Sequence, residues 1–150
     1  MSPIRSAVAI LALLLATPAS LAFADETAEL RVYKSPTCGC CVKWIEHLES
    51  NGFSVEAIDV DDTAALKREH GVAPHLQACH TALVDGYLIE GHVPASDVAR
   101  LLRERPAVKG LTVPGMPIGS PGMEGPGAKG FAVYSFDAGG NTRVFSTHAP

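Results

Sequence analysis

The spacing of apolar side chains changes period repeatedly along the chain. Residues 30–34 and 53–60 alternate apolar and polar positions and are rich in β-forming side chains, which predicts two strands. Residues 38–50 between them predict a helix, with Thr37 as its N-cap and Asn51 and Gly52 at its end. The residues on the apolar face of this helix fall at steps of three and four: Cys41, Trp44, Ile45 and Leu48.

The next segment continues the alternation of helices and strands. A helix is predicted over 64–70 and is closed by Gly71. Two short strands, 81–84 and 87–90, flank an Asp-Gly pair that favours a tight hairpin. A further helix begins at Pro94 and ends before Pro106. The order β-α-β-α-β-β-α predicts a thioredoxin-like α/β fold, with a mixed central sheet and flanking helices.

The last third of the chain has a different composition. Residues 110–130 are dominated by Gly and Pro, which predicts a loop without regular structure. Two alternating segments follow, 131–136 and 142–146, on either side of a Gly-containing turn. They predict a C-terminal hairpin that extends the sheet.

The N-terminus has the features of a secretory signal peptide. Arg5 precedes the apolar run 7–16, which is too short to span a bilayer, and small residues favour cleavage after Ala24. The sequence therefore predicts a signal peptide at 1–24 and one exported domain at 25–150. The expected location is the periplasm, with no membrane insertion after cleavage.

The net charge of the chain disfavours some classes of binding partner. Its formal net charge is −4 at pH 7, without the basic surface that nucleic acids or anionic membranes require. A mildly acidic domain does not repel cations.

Three of the four cysteines lie within four consecutive positions, in Cys38-Gly39-Cys40-Cys41. The start of a helix favours thiolates, which act both as nucleophiles and as metal ligands. One interpretation is a thiol-disulfide oxidoreductase with Cys38 as nucleophile and Cys41 as resolving thiol. The other is a site for a soft ion such as copper(I), and the additional thiol of Cys40 favours it. A structural Cys38–Cys41 disulfide beside an inert Cys40 is the simplest alternative.

The fourth cysteine, Cys79, precedes the third predicted strand and is followed by His80. In a thioredoxin-like fold this segment lies against the first helix, so both side chains are candidate ligands. A small buried thiol is the alternative role of Cys79. His92 is a candidate for capping or binding, whereas His47 is expected to be solvated and His148 to lie in a frayed terminus.

Two copies of a Pro-Gly-Met unit place Met116 and Met123 seven residues apart in the Gly- and Pro-rich loop. Thioethers bind copper(I) without losing a proton. Both residues are therefore candidate ligands, with packing into a gap of the core as the alternative.

These motifs together resemble the CopG-type family of small periplasmic proteins, long described as a domain of unknown function and often called metal-binding proteins. The resemblance covers nearly the whole mature chain. Its motifs are residues 37–41 with Trp44, 79–82, Gly86-Tyr87, 90–94, 110–117 and 119–124.

The resemblance implies a thioredoxin-like fold and a role in copper resistance or copper handling, with other periplasmic copper-handling proteins as expected partners. It also implies that four residues are the thiol ligands of a copper(I) site, with one ion or a multinuclear cluster: Cys38, Cys40, Cys41 and Cys79. His80, Met116 and Met123 lie in other family motifs as further candidate ligands. A redox role at Cys38 and Cys41, on copper or on disulfides, also fits the family.

Overall fold

The computed structural model describes residues 28–150. The predicted signal peptide and its cleavage site therefore lie outside the described residues. No helix within 28–150 is both long and apolar enough to cross a membrane.

The described residues form seven strands and three α-helices. In chain order they are β1 (Glu29–Lys34), α1 (Gly39–Ser50), β2 (Ser54–Asp59), α2 (Thr63–Glu69), β3 (Thr81–Val84), β4 (Tyr87–Glu90), α3 (Ala95–Glu104), β5 (Gly110–Thr112), β6 (Phe131–Phe136) and β7 (Thr142–His148). A short 3-10 helix, Pro74–Leu76, connects α2 to β3.

The strands form one sheet in the order β2-β1-β3-β4-β5-β6-β7. The β1–β2 and β4–β5 pairs are parallel, and the other pairs are antiparallel. This mixed sheet with its helices confirms the predicted α/β, thioredoxin-like class, and the C-terminal hairpin extends it as expected.

The prediction of a loop without regular structure over 110–130 was wrong in one part, because Gly110–Thr112 forms β5. A Cβ at Gly110 would overlap the carbonyl oxygen of Leu88 in the neighbouring strand. Glycine normally disfavours a strand, but here it allows the close approach of two backbones. The rest of the Gly- and Pro-rich segment is outside the named strands, apart from isolated bridges.

Helix α1 is fixed to the sheet by its apolar face. Trp44 is fully buried, and its indole Nε1 donates a hydrogen bond to the Val93 carbonyl oxygen at 2.8 Å. The N-cap is Cys38 and not Thr37, and no side chain caps the helix. The cysteine motif therefore lies directly at the start of α1.

The C-terminal strand is held to α3 by a polar contact. His148 Nε2 lies 2.6 Å from Asp97 Oδ2, and its ring stacks on Phe131 at 4.9 Å between centroids. The expectation that His148 frays was therefore wrong, because the terminus is paired as β7.

Candidate metal centre

The sulfur atoms at the start of α1 are close enough to react with one another. Cys38 and Cys41 form a disulfide with their Cα atoms 5.3 Å apart. The free Cys40 Sγ lies 3.6 Å from Cys38 Sγ. Cys41 is buried, while Cys38 and Cys40 keep partial exposure. The site is thus in its oxidised form, with the free thiol of Cys40 beside the disulfide.

Sheet pairing brings the fourth cysteine to the same place. Strand β3 pairs with β1, with Thr81 opposite Tyr33, so the segment entering β3 lies beside the end of β1, from which the chain leads into α1. The four Sγ atoms lie within 4.8 Å of one another. We refer to Cys38, Cys40, Cys41 and Cys79 as the cysteine cluster.

Burial, and to a smaller extent the neighbouring Cys40, raise the pKa of Cys79 from 9.0 to about 12. The thiol is therefore protonated near neutral pH. A metal ion that binds this sulfur must displace the proton.

Two buried histidines contact the same thiol. Cys79 Sγ lies 3.2 Å from His80 Nδ1 and 2.9 Å from His92 Nε2. The His80 ring stacks on Trp44 with 4.2 Å between centroids. Burial lowers the pKa of His80 and of His92, so both imidazoles are neutral near pH 7.

The directions of these hydrogen bonds follow from one carbonyl group. His92 Nδ1 lies 2.6 Å from the Pro121 carbonyl oxygen, which can only accept, so this nitrogen carries the proton. His92 Nε2 is then a lone pair that accepts from the Cys79 thiol. The remaining contact requires His80 Nδ1 to donate to the sulfur, which leaves His80 Nε2 without a proton or a partner within 28–150.

A buried ion pair supports the segment that carries Cys79. Lys67 Nζ lies 2.5 Å from Glu90 Oε1 and 2.9 Å from Thr81 Oγ1. The same carboxylate accepts hydrogen bonds from Thr81 Oγ1 and from the Ala78 backbone amide. Burial raises the pKa of Glu90, and the Lys67 ammonium opposes this. The network fixes the backbone on both sides of Cys79 and His80.

The Gly- and Pro-rich residues 113–130, which we call the methionine loop, lie beside Cys40 of the cysteine cluster. A cleft of about 660 Å³ is lined by Cys40 and Lys43 from α1 and by Met123 and Glu124 from the loop. Gly122 allows this approach, since a Cβ there would lie 2.8 Å from backbone atoms of Cys40 and of Trp44.

The structure brings together most of the predicted ligands. The four cysteines and His80 meet at one place, and Met123 faces the cleft beside Cys40. Met116 is 51% exposed and does not line that cleft.

His92 is the residue that sequence reasoning underestimated. The sequence feature that could have indicated it is its position two residues after β4, which places it beside Cys79, two residues before β3. His47 was expected to be solvated but accepts a hydrogen bond from the Ala95 amide at 3.1 Å.

The donor set fits a soft ion. Thiolates select copper(I) and zinc over hard cations, and the four cysteine sulfurs that meet here can supply thiolates once the disulfide is reduced. The Cys38–Cys41 disulfide and a four-thiolate site exclude each other, because the same two sulfurs are needed for both. The arrangement can therefore either bind a soft metal or exchange a disulfide, depending on its oxidation state.

Two protein families match different parts of the chain, and each match contains part of the site. Residues 30–72, with the motif of α1, match the glutaredoxin family. Residues 76–123, with Cys79, both buried histidines and the methionine loop, match a family described as a protein of unknown function, DUF411. No curated protein matches the chain.

Two solved structures match over most of the chain. The copper resistance protein copG in its form 2 is 41% identical, with a TM-score of 0.77, and the match covers 82% of this chain and 99% of that one. Form 1 is 40% identical with the same TM-score, and the match covers 83% and 100% of the two chains. At this identity and coverage, the chain belongs to the family of CopG copper resistance proteins.

Proposed function

We propose that this protein binds copper(I) through the thiolates of the cysteine cluster and acts in copper resistance. The observation that carries the proposal is the convergence of four sulfurs, from two separate segments, within 4.8 Å of one another. Sulfur-rich ligation favours copper(I), and the CopG relatives are copper resistance proteins by name.

Loading with copper requires prior reduction of the site. Two electrons and two protons convert the Cys38–Cys41 disulfide to two thiols, and a dithiol protein or a small thiol supplies them by exchange. The thiols then lose their protons as the ion binds. Burial of Cys41 and partial burial of Cys79 protect the loaded sulfurs from solvent.

Further ligands come from side chains around the cluster. His80 contacts Cys79 directly, and Met123 faces the cleft beside Cys40. Met116 can contribute only if the exposed half of the loop closes over the site. We propose His80 and Met123 as additional ligands, with Met116 as a further one in a closed loop.

Export to the periplasm is part of the same proposal. The apolar run and small residues at 1–24 support removal of a signal peptide, which leaves 25–150 as the mature domain. Copper ions would then reach the site outside the cytoplasm, either directly or from another copper-handling protein.

A second candidate function is thiol-disulfide or copper oxidoreductase. It is favoured by the Cys38–Cys41 disulfide at the start of α1 and by the glutaredoxin match over 30–72. Cys38 is the more exposed member of the pair and would be attacked first, whereas the buried Cys41 would be the leaving and resolving thiol.

Anaerobic titration of the fully reduced protein with copper(I), against a competing chelator, tests the first candidate. Zinc is run in parallel, and His75→Ala, at an exposed histidine, is the control variant. We expect tight copper(I) uptake that zinc does not match. Cys40→Ser should lower the copper stoichiometry or affinity, and His75→Ala should leave both unchanged.

Disulfide-exchange assays on Cys40→Ser and on Cys41→Ser distinguish the two candidate functions. Disulfide exchange needs only Cys38 and Cys41, so it should survive Cys40→Ser and be abolished by Cys41→Ser. Weak copper(I) binding by the reduced protein, together with exchange activity that survives Cys40→Ser, would reject the copper proposal in favour of the oxidoreductase.

A further inference from the structure

The methionine loop pairs with the backbone segment that leads to Cys79. Gly115 and Ala78 form an isolated parallel bridge, and the Gly115 amide donates a hydrogen bond to the Gln77 carbonyl oxygen at 3.1 Å. The Ala78 amide is also occupied, because it donates to Glu90 Oε1 at 2.7 Å. These two backbone groups beside the cysteine cluster therefore have their partners within the chain.

The same loop then reaches the helix that carries the disulfide. The Pro121 carbonyl oxygen lies 2.6 Å from His92 Nδ1. A Cβ at Gly122 would lie 2.8 Å from backbone atoms of Cys40 and of Trp44 in α1. The methionine loop is thus attached both to the segment that carries Cys79 and to the start of α1.

This double attachment limits what reaches the disulfide. An extended peptide binds beside a strand by adding hydrogen bonds to free backbone N–H and C=O groups. The groups of Gln77 and Ala78 that such a peptide would use are already taken. The cleft of about 660 Å³ remains, and it is lined by Cys40, whose Sγ lies 3.6 Å from Cys38 Sγ. A volume of this order fits a small molecule.

We propose that the methionine loop makes the Cys38–Cys41 disulfide selective for small thiols, by excluding the extended segments of dithiol proteins. The proposal rests on reduction of this disulfide, which both candidate functions require, and it names the class of reductant. The thiolate of a small thiol attacks Cys38 Sγ, the Cys38–Cys41 bond breaks, and the Cys41 sulfur takes up a proton. A second thiol, from the same or another small molecule, attacks the mixed disulfide. It releases Cys38 as a thiol and leaves with the first as a small-molecule disulfide.

Two reductants test this selectivity on the oxidised protein. Dithiothreitol is the small dithiol, and reduced thioredoxin at the same dithiol concentration is the dithiol protein. Samples are quenched in acid and alkylated at successive times. Mass spectrometry then follows the increase from two labelled cysteines, Cys40 and Cys79, to all four.

Gly115→Pro is designed to open the bridge. It removes the amide that donates to Gln77 and excludes the φ of +70° at this position, because proline holds φ near about −65°. Gly127→Pro is the matched control. Gly127 also follows a proline and has a φ of +80°, and at both glycines a Cβ would have open space among the described residues. Only Gly115 belongs to the bridge with Ala78.

We expect dithiothreitol to reduce the unmodified protein and both variants at similar rates. Thioredoxin should reduce the unmodified protein and Gly127→Pro no faster than dithiothreitol does. Its rate with Gly115→Pro should be at least about tenfold higher, because loss of a hydrogen bond and strain at residue 115 favour the open loop.

The proposal is overturned if thioredoxin reduces the unmodified protein faster than dithiothreitol does, or if it reduces a folded Gly115→Pro no faster than Gly127→Pro. Circular dichroism verifies folding, and the rates of the unmodified protein decide the result if Gly115→Pro does not fold. If neither reductant reacts, the reduction that both candidate functions require is itself refuted. Copper(I) binding is measured separately, so that the proposed function and the selectivity for small thiols can each fail alone.

Discussion

Replacing Lys67 by Met tests whether the buried ion pair stabilises the segment that carries Cys79. The Lys67 and Glu90 side chains are 4% and 0% exposed, and their charged atoms are 2.5 Å apart. Lys67→Met keeps the aliphatic stem and removes the charge, together with the hydrogen bond to Thr81 Oγ1.

The expected effect is large because the variant leaves a buried carboxylate without its cation. Breaking a buried pair from one side costs about 3–5 kcal/mol. For a domain of this size that corresponds to a melting temperature lower by roughly 10–20 °C. The exposed pair of Arg31 and Glu56 provides the matched control, and Glu56→Gln should change stability by less than about 1 kcal/mol.

The pH dependence gives this prediction a second readout. Without Lys67, burial raises the pKa of Glu90 in the folded state further above its unfolded value of 4.5. The folded variant then holds a proton that the unfolded chain loses, so its stability falls as pH rises above about 4.5. The deficit of Lys67→Met should therefore be larger at pH 8 than at pH 5.

Urea denaturation at the two pH values measures both effects, with the disulfide intact in all samples. A loss in Lys67→Met no greater than that of Glu56→Gln would refute the structural role of the pair. A large loss that is independent of pH would show that packing, and not the unpaired Glu90 carboxylate, causes the destabilisation.

Two further substitutions test the contact between the methionine loop and α1 and the contact between Asp97 and His148. Gly122→Ala should lower the melting temperature more than Gly127→Ala, because both positions have φ near +80° but only the first has backbone atoms of α1 within 2.8 Å. Equal shifts in calorimetry would show that the loop does not pack on α1. Asp97→Ala should destabilise the protein by about 1–3 kcal/mol, since it removes the partner of His148 Nε2. An unchanged urea midpoint would mean that β7 does not depend on this contact.

The fold was predictable as far as local patterns specify it. Alternation, helical spacing and the Asp-Gly turn located β1 to β4 and all three helices. The strand β5 was missed because Gly110 fits there only by contact with Leu88 of β4. A close approach between distant segments leaves no periodic signal in the sequence.

The candidate site was predictable where its residues are adjacent in sequence. The spacing of Cys38, Cys40 and Cys41 indicated a thiol site, and the fold class placed Cys79 beside it. The proton on His92 Nδ1, by contrast, is fixed by the Pro121 carbonyl 29 positions away, which no local sequence pattern indicates.

No pattern in the sequence indicated the buried pair of Lys67 and Glu90 either. Charged residues on a short helix and at a strand end normally face solvent. Only tertiary packing shows that these two are enclosed and paired.

X-ray absorption at the copper edge of the reduced, copper(I)-loaded protein measures directly which atoms bind the ion. We expect a first coordination shell dominated by sulfur, which loses sulfur scattering in Cys40→Ser. A first shell of nitrogen and oxygen, or a spectrum unchanged by Cys40→Ser, would contradict copper binding by the cysteine cluster.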